Sequence, residues 1–394
     1  MPNRFAAWLE KDDPKVTFYL ILVPTLLLVA LGLIMVLSSL TVESISKDLS
    51  VLGEFQRQAL AAGLGLAGLL VFRRMNNKYL SLVAWIGMAV VILMLLLVAF
   101  TPLGVEVNGN RNWLKLGPLP QIQPAEIAKP MFALWAGDVV SKKSAVSHQL
   151  KHVLVPILPV GGFIILLVMI GSDLGTTLVL ALMLAVALLL AGVPKRWLLL
   201  GGAAGALAVV GFTLTSPNRM RRIYAWLGTN CDEPTHPCYQ TEQGLNALAS
   251  GGWTGLGLGQ SRVKWHYLPE AKSDFVFTIL GEELGLLGAL ATLALFMVLA
   301  IGLYRTAVNA EDRLSRVVLG TMLVWIVGQA FINIAMVTRL MPVIGVPLPF
   351  ISYGGSALIA TVAAMGIALN FNRRQYQRQL ALLQEIDASE KTRQ

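Results

Sequence analysis

Ten stretches of this chain are apolar for long enough to read as membrane helices: about 17–40, 55–72, 79–100, 124–140, 153–170, 174–193, 196–216, 275–303, 314–337 and 351–372. Roughly 20 apolar residues at 1.5 Å each span a hydrocarbon core of about 30 Å. The second and fourth stretches are interrupted by charge, with Glu54, Arg57, Glu126 and Lys129 near or within them. Between the seventh and eighth lies the one long connection, 217–273. It carries a glycine run, GGWTGLGLGQ, and the aromatics Trp226, Tyr239, Trp253, Trp265 and Tyr267. Connections of that length are usually functional or disordered, and this aromatic content argues for order. The pattern predicts an all-α polytopic membrane protein of about ten transmembrane helices. It divides into an N-terminal segment 1–16, a membrane domain 17–373 with the large external loop 217–273, and a tail 374–394 that begins helical.

Composition agrees with that reading. Of the 394 residues 56% are hydrophobic and 13% charged, and the mean hydropathy is +0.67. Soluble domains carry about a quarter charged residues. The segment from Met1 to Lys15 is polar, contains Pro14 and lacks a small-residue cleavage site, so the first span is expected to be retained.

Net charge is +9, which would suit nucleic acid if it were clustered. It is distributed by loop instead. With the N-terminus in the cytoplasm, 19 of the 31 basic residues fall on the inner side. The positive-inside rule then places both termini in the cytoplasm and the long loop outside. A nucleic-acid partner is not expected.

The long loop also holds the chain's two cysteines, Cys231 and Cys238, seven positions apart across a proline-containing turn. They make either a disulfide in an oxidising compartment or two free thiols. His236 lies between them without a fourth ligand at zinc-site spacing.

Four groups carry candidate chemistry. Asp274 sits at the seam between the polar loop and the eighth apolar run, with Glu282 and Glu283 further in. An acid at such depth reads as a functional group. Glu282, eight residues on, would lie about 12 Å away along one helix, beyond the roughly 5–10 Å of paired glycosidase carboxylates. Asp274 alone suits a general base acting on a hydroxyl; the alternative is that Ser273 or Asp274 merely caps a helix.

The second group is basic: Arg219, Arg221 and Arg222 open the loop, and Arg262, Lys264 and Lys272 close it. External arginines suit phosphate oxygens, or else anionic lipid headgroups. The third runs from Gly109 to Pro130, where Pro124 can start a helix and Glu126 and Lys129 can pair at i,i+3. Asp173, in GSDLGTT, reads as a cap for the sixth span in preference to a ligand for metal or phosphate. The fourth is MPVIGVPLPFISYGGSA, Met341 to Ala357, where three prolines break a helix at membrane depth. There Ser352 and Tyr353 either orient a substrate or simply flank close helix packing.

Several of these segments occur together and in order: GNRNW with QPAEIAK, SDLGTT, the GGWTGLGLGQS run, YLPEAKSDFVFTILGEELG and PLPFISYGGS. In this the chain resembles the SEDS family, the FtsW/RodA group, along nearly its whole length. The resemblance implies ten spans and polymerisation of lipid II into β-1,4 glycan strands outside the cytoplasmic membrane, with inversion at the donor sugar. It places the family's essential acid on Asp274 and its accompanying basic and polar positions on Arg111, Lys129, Lys264 and Glu283. Arg219, Arg221, Lys272 and Ser352 are the further substrate-binding candidates. It implies a divisome setting at the septum and a class B penicillin-binding transpeptidase as partner, with the division-type branch favoured over the elongation type. A divalent cation, Mg or Mn, is the one cofactor expectation. The sequence departs from the family at Ala125, at Lys272 and Ser273, and in the segment CDEPTHPC. A lipid-precursor flippase is the competing reading, since intramembrane charges and broken helices suit transporters as well; a scaffold that only recruits other proteins is the third.

Overall fold

The computed structural model describes residues 13–46, 51–107, 109–118, 120–143, 150–214, 217–229, 237–264 and 272–393. Each of the ten apolar stretches falls on a helix. In chain order these are α1 (Pro14–Ser46), α2 (Val51–Arg74), α3 (Asn77–Phe100), α4 (Pro124–Lys142), α5 (Leu150–Ile170), α6 (Leu174–Leu190) and α7 (Lys195–Leu214). Two helices, α8 (Pro217–Leu227) and α9 (Pro237–Ser250), lie in the long loop. They are followed by α10 (Val276–Val308), α11 (Arg313–Leu323), a π turn (Val324–Gly328), α12 (Gln329–Val337) and α13 (Gly355–Arg393). Among the described residues seven helical segments are long and apolar enough to cross a membrane, and two shorter apolar ones accompany them. The chain is a polytopic membrane protein.

It is not purely helical. Gly104–Val107 (β1) and Asn110–Leu114 (β2) pair antiparallel between α3 and α4, and Arg111 N donates to Gly171 O at 2.9 Å, anchoring this hairpin to the α5–α6 turn. The tail expected to begin helical continues α13 without a break to Arg393.

Charge in the fourth stretch has a structural reason. From Pro124 to Val140 nearly every α4 residue is buried, because α4 runs through the middle of the bundle against α3 and α11. Lipid does not see Glu126, Lys129 or Asp138; protein does. By contrast α7 packs on little, and most of its residues are exposed.

The eighth stretch is one helix with a break. Gly285 stands at φ 68°, ψ −168°, a conformation nearly reserved for glycine. There the loop's glycine run docks: Leu286 N donates to Gly252 O (2.9 Å), Leu287 N to Trp253 O (3.1 Å) and Leu256 N to Glu282 O (3.0 Å). A Cβ at Gly255 would collide with the Glu283 carbonyl. The run is therefore an inlay in the helix, which satisfies backbone groups that the break exposes.

Candidate active site

Where the hairpin, α4, α6, α8, α9, α12 and the proline-rich loop converge on the start of α10, they enclose a cavity of about 220 Å³. Asp274 lines it, together with Ser352 and Tyr353 from the loop ahead of α13, Gln123 and Glu126 from the start of α4, and Asp173 and Thr176 from α6. Amides are frequent in the wall: Asn110, Asn112, Gln123, Gln240 and Gln329. Among the described lining residues the acids are Glu126, Asp173 and Asp274, and the cation is Arg222.

Asp274 is half-buried. It precedes α10, whose N-cap position is Phe275. Its main-chain carbonyl accepts from Asn333 Nδ2 at 2.8 Å. Asp173 differs. Its carboxylate accepts from Thr176 N (2.9 Å) and Thr176 Oγ1 (2.9 Å) as the cap of α6, and from Asn112 Nδ2 (3.1 Å) and Gln123 Nε2 (3.2 Å) across the cavity floor. Those bonds make it a fastening for the hairpin, with little left to offer a substrate.

Glu126 and Lys129 form the expected i,i+3 pair at 2.7 Å, both nearly inaccessible. Lys129 also donates to Gln329 Oε1 at 2.9 Å; it stands behind the wall and reaches the cavity through Glu126 and Gln329. Ser352 Oγ is used twice by the main chain, accepting from Leu348 N (2.7 Å) and donating to Ser273 O (2.6 Å). It holds the proline-rich loop against the residue before Asp274. Lys272 lies beside this junction, with Nζ 3.5 Å from Glu54 and 5.1 Å from the Tyr353 ring centroid.

Five sequence candidates stand elsewhere. Arg111 Nη2 donates to Thr101 O, which ties the hairpin to the end of α3. Arg219 stacks on Phe212 (3.6 Å to the ring centroid) and donates to Phe212 O (2.9 Å) and Ser172 Oγ (3.3 Å). Burial, and then the charge of Arg222, lower its pKa from the ordinary guanidinium value. Arg221 is exposed and absent from the described cavity wall. The arginine that reaches the wall is Arg222, whose Nη1 lies 3.5 Å from Val343 O. Residues 221 and 222 are adjacent on α8 and point about 100° apart, so the two side chains cannot reach the same wall.

The remaining two are Lys264 and Glu283. They form a buried ion pair at 3.0 Å, and Lys264 also donates to Ser38 Oγ (3.0 Å) and Gly259 O (2.7 Å). Glu282 accepts from Ser261 Oγ and from Arg262 N (3.0 Å). None of these lines the Asp274 cavity among its described residues. They lock the glycine run onto α10 and α1.

Cys238 is buried and disulfide-bonded. Cys231 and the rest of CDEPTHPC up to His236 lie outside the described residues, as do Trp265 to Ala271 with the whole of the YLPEA segment. Among the described residues no three His, Cys, Asp or Glu side chains converge to hold a metal ion.

Residues 18–377 match the cell cycle protein family of FtsW, RodA and SpoVE. The chain belongs to this family. It is 38% identical over 373 residues to a protein of Mycobacterium tuberculosis named probable peptidoglycan glycosyltransferase FtsW, covering 95% of this chain and 70% of that one. It is 36% identical over 366 residues to stage V sporulation protein E of Bacillus subtilis, covering 92% and 98%. Among solved structures, Thermus thermophilus rod shape determining protein RodA matches with a TM-score of 0.64 at 26% identity, covering 91% of this chain and 97% of that one. A chain from a structure described as structural coordination of polymerization and crosslinking by a peptidoglycan synthase complex matches with a TM-score of 0.70 at 26% identity, covering 90% and 98%.

The cavity residues that sequence reasoning passed over are mostly neutral: Asn112, Gln123, Gln240, Gln329 and Asn333 behind them. Amides carry no sequence signal of their own. The hairpin did have one, in the alternating GVEV followed by Asn108-Gly109.

Proposed function

We propose that this protein is a peptidoglycan glycosyltransferase that polymerises lipid II on the outer face of the cytoplasmic membrane, with Asp274 as general base. The observation that carries the reading is the placement of Asp274: a half-buried carboxylate in a polar, amide-lined cavity at the head of a membrane helix. Relatives named peptidoglycan glycosyltransferase support the reaction class. Asn and Gln side chains offer both donors and acceptors, which suits the hydroxyl and acetamido groups of a sugar.

In the proposed step Asp274 takes the proton of the acceptor's 4-hydroxyl. The oxygen's electron pair forms the new bond to the donor's anomeric carbon. The bond from that carbon to the diphosphate oxygen breaks, and undecaprenyl diphosphate departs with its electrons. Attack from the face opposite the leaving group turns an α-linked donor into a β-1,4 product. A fixed cation stabilises charge developing on the leaving group; Arg222 is the described wall residue suited to that task. Lys129 neutralises Glu126, so that the wall does not hold a third unbalanced acid beside an anionic donor.

The same proposal takes the ten spans, with the cavity facing outward, from the loop charges. A class B penicillin-binding transpeptidase would cross-link the strands and would be the chain's working partner. The naming of the curated relatives favours a role in septal wall synthesis.

The test is polymerisation of labelled lipid II by the purified protein, with Asp274→Asn alongside. Glycan strands from the wild type and none from the variant are the expected result. Wild-type polymerisation by Asp274→Asn removes the base assignment, and transbilayer movement of lipid II without any polymer returns the flippase reading.

A further inference from the structure

The π turn Val324–Gly328 interrupts the ninth apolar stretch immediately before Gln329. Such turns shift the register of every residue after them and occur often at functional sites. This one is followed by two buried amides one helical turn apart, Gln329 and Asn333, 2% and 0% exposed. Each clasps the proline-rich loop: Gln329 Nε2 donates to Pro347 O at 2.8 Å and Asn333 Nδ2 to Val346 O at 2.6 Å. Asn333 Nδ2 makes a second bond, to Asp274 O at 2.8 Å. Its Oδ1 is buried with no hydrogen-bond partner. An unsatisfied buried acceptor is costly, so this amide holds two carbonyls at the expense of its own oxygen.

Given the assignment of Asp274 as base, we propose that Asn333 is a positioning residue for that acid. Asp274 lies outside the regular helix, so α10 does not set its main chain by itself. The partner backbone is close: Gly345, next to Val346, has φ 71°, and a Cβ built on it would stand 3.3 Å from Asp274 Oδ2. Bridging the carbonyls of Asp274 and Val346 therefore fixes the acid against the loop that forms the opposite wall. Gln329 extends the bracket to Lys129 and so to Glu126. A register shift of the π turn would move both amides together, and with them both walls.

Knitting a helix to a loop and positioning a base have different kinetic signatures. Loss of knitting lowers the amount of folded protein. Loss of positioning lowers kcat per folded molecule and leaves the KM for lipid II unchanged, because a displacement of about 1 Å can cost on the order of 10²-fold in rate. The experiment compares Asn333→Leu, Asn333→Ser and Asp274→Asn as purified, monodisperse proteins on labelled lipid II. Asn333→Leu is expected to lose about 10–100-fold in kcat with KM within about twofold. Asn333→Ser, whose hydroxyl donates to one carbonyl at a time, should fall between it and the wild type.

Wild-type kcat in both Asn333 variants beside an inactive Asp274→Asn overturns the positioning role and leaves the base in place. So does a raised KM at unchanged kcat. An active Asp274→Asn overturns the base assignment and this inference together. Should Asn333→Leu not fold, Asn333→Ser decides, joined by Gly345→Ala, which presses a methyl toward the same carboxylate and should also lower kcat at constant KM.

Discussion

Asp274 and the pair Glu282–Glu283 stand eight and nine residues apart in sequence, at the same end of α10, and the protein treats them in opposite ways. Glu283 is 0% exposed and ion-paired to Lys264 at 3.0 Å. Glu282 is 1% exposed and bonded to Ser261 and to the Arg262 main chain. Their neighbours are the inlaid glycine run and α1, and neither lines the cavity around Asp274. Asp274 is half-buried and opens onto about 220 Å³ lined with amides. One cluster closes a structure; the other lines a space that a substrate can enter. Depth in the membrane domain does not make an acid catalytic. What separates the two is access: Asp274 lines the cavity, whereas Glu282 and Glu283 are absent from its described wall and nearly inaccessible.

Breaking each cluster should therefore break different things. The largest effect is expected for Asp274→Asn, with glycan polymerisation falling by about 10²–10⁴-fold, as for a lost general base. Its thermal midpoint in detergent should stay near the wild type. Lys264→Met should do the reverse: removing one partner of a buried ion pair typically costs about 3–5 kcal/mol, so thermal unfolding should move well down. The rate per surviving folded molecule should stay within a few-fold. Arg222→Ala comes next, with the KM for lipid II raised by an amount equivalent to a lost charge-assisted bond of about 1.5–3 kcal/mol at normal membrane abundance. The smallest effect is expected at Arg221→Ala, whose exposed side chain stands off the cavity wall, with KM within about twofold. Equal KM changes at residues 221 and 222 would mean that the arginines act as a diffuse headgroup-binding patch.

Much of this was legible in the sequence, for reasons of range. Apolar runs, the Glu126–Lys129 spacing and the Asp173 cap each depend on residues within four positions, and each stands in the structure as the spacing suggests. The fate of Lys264 and Glu283 depended on a glycine run docking onto a helix break, a contact between segments that no local pattern announces. That Arg221 and Arg222 differ lay within reach of helical phase; which of them meets the cavity depended on how α8 packs. Asn333 and Gln329 were out of reach: neutral amides in an apolar stretch look incidental until a π turn sets their direction.

The pH dependence of the polymerisation rate tests the central distinction most directly. A general base must be ionised to work, so kcat should rise with pH through the base's pKa and then level off. The wild type and Glu283→Gln should both show that acid limb, whereas the residual rate of Asp274→Asn should be flat across it. An acid limb that survives in Asp274→Asn, or one that vanishes in Glu283→Gln, would contradict the account and move the base to the cluster described here as structural.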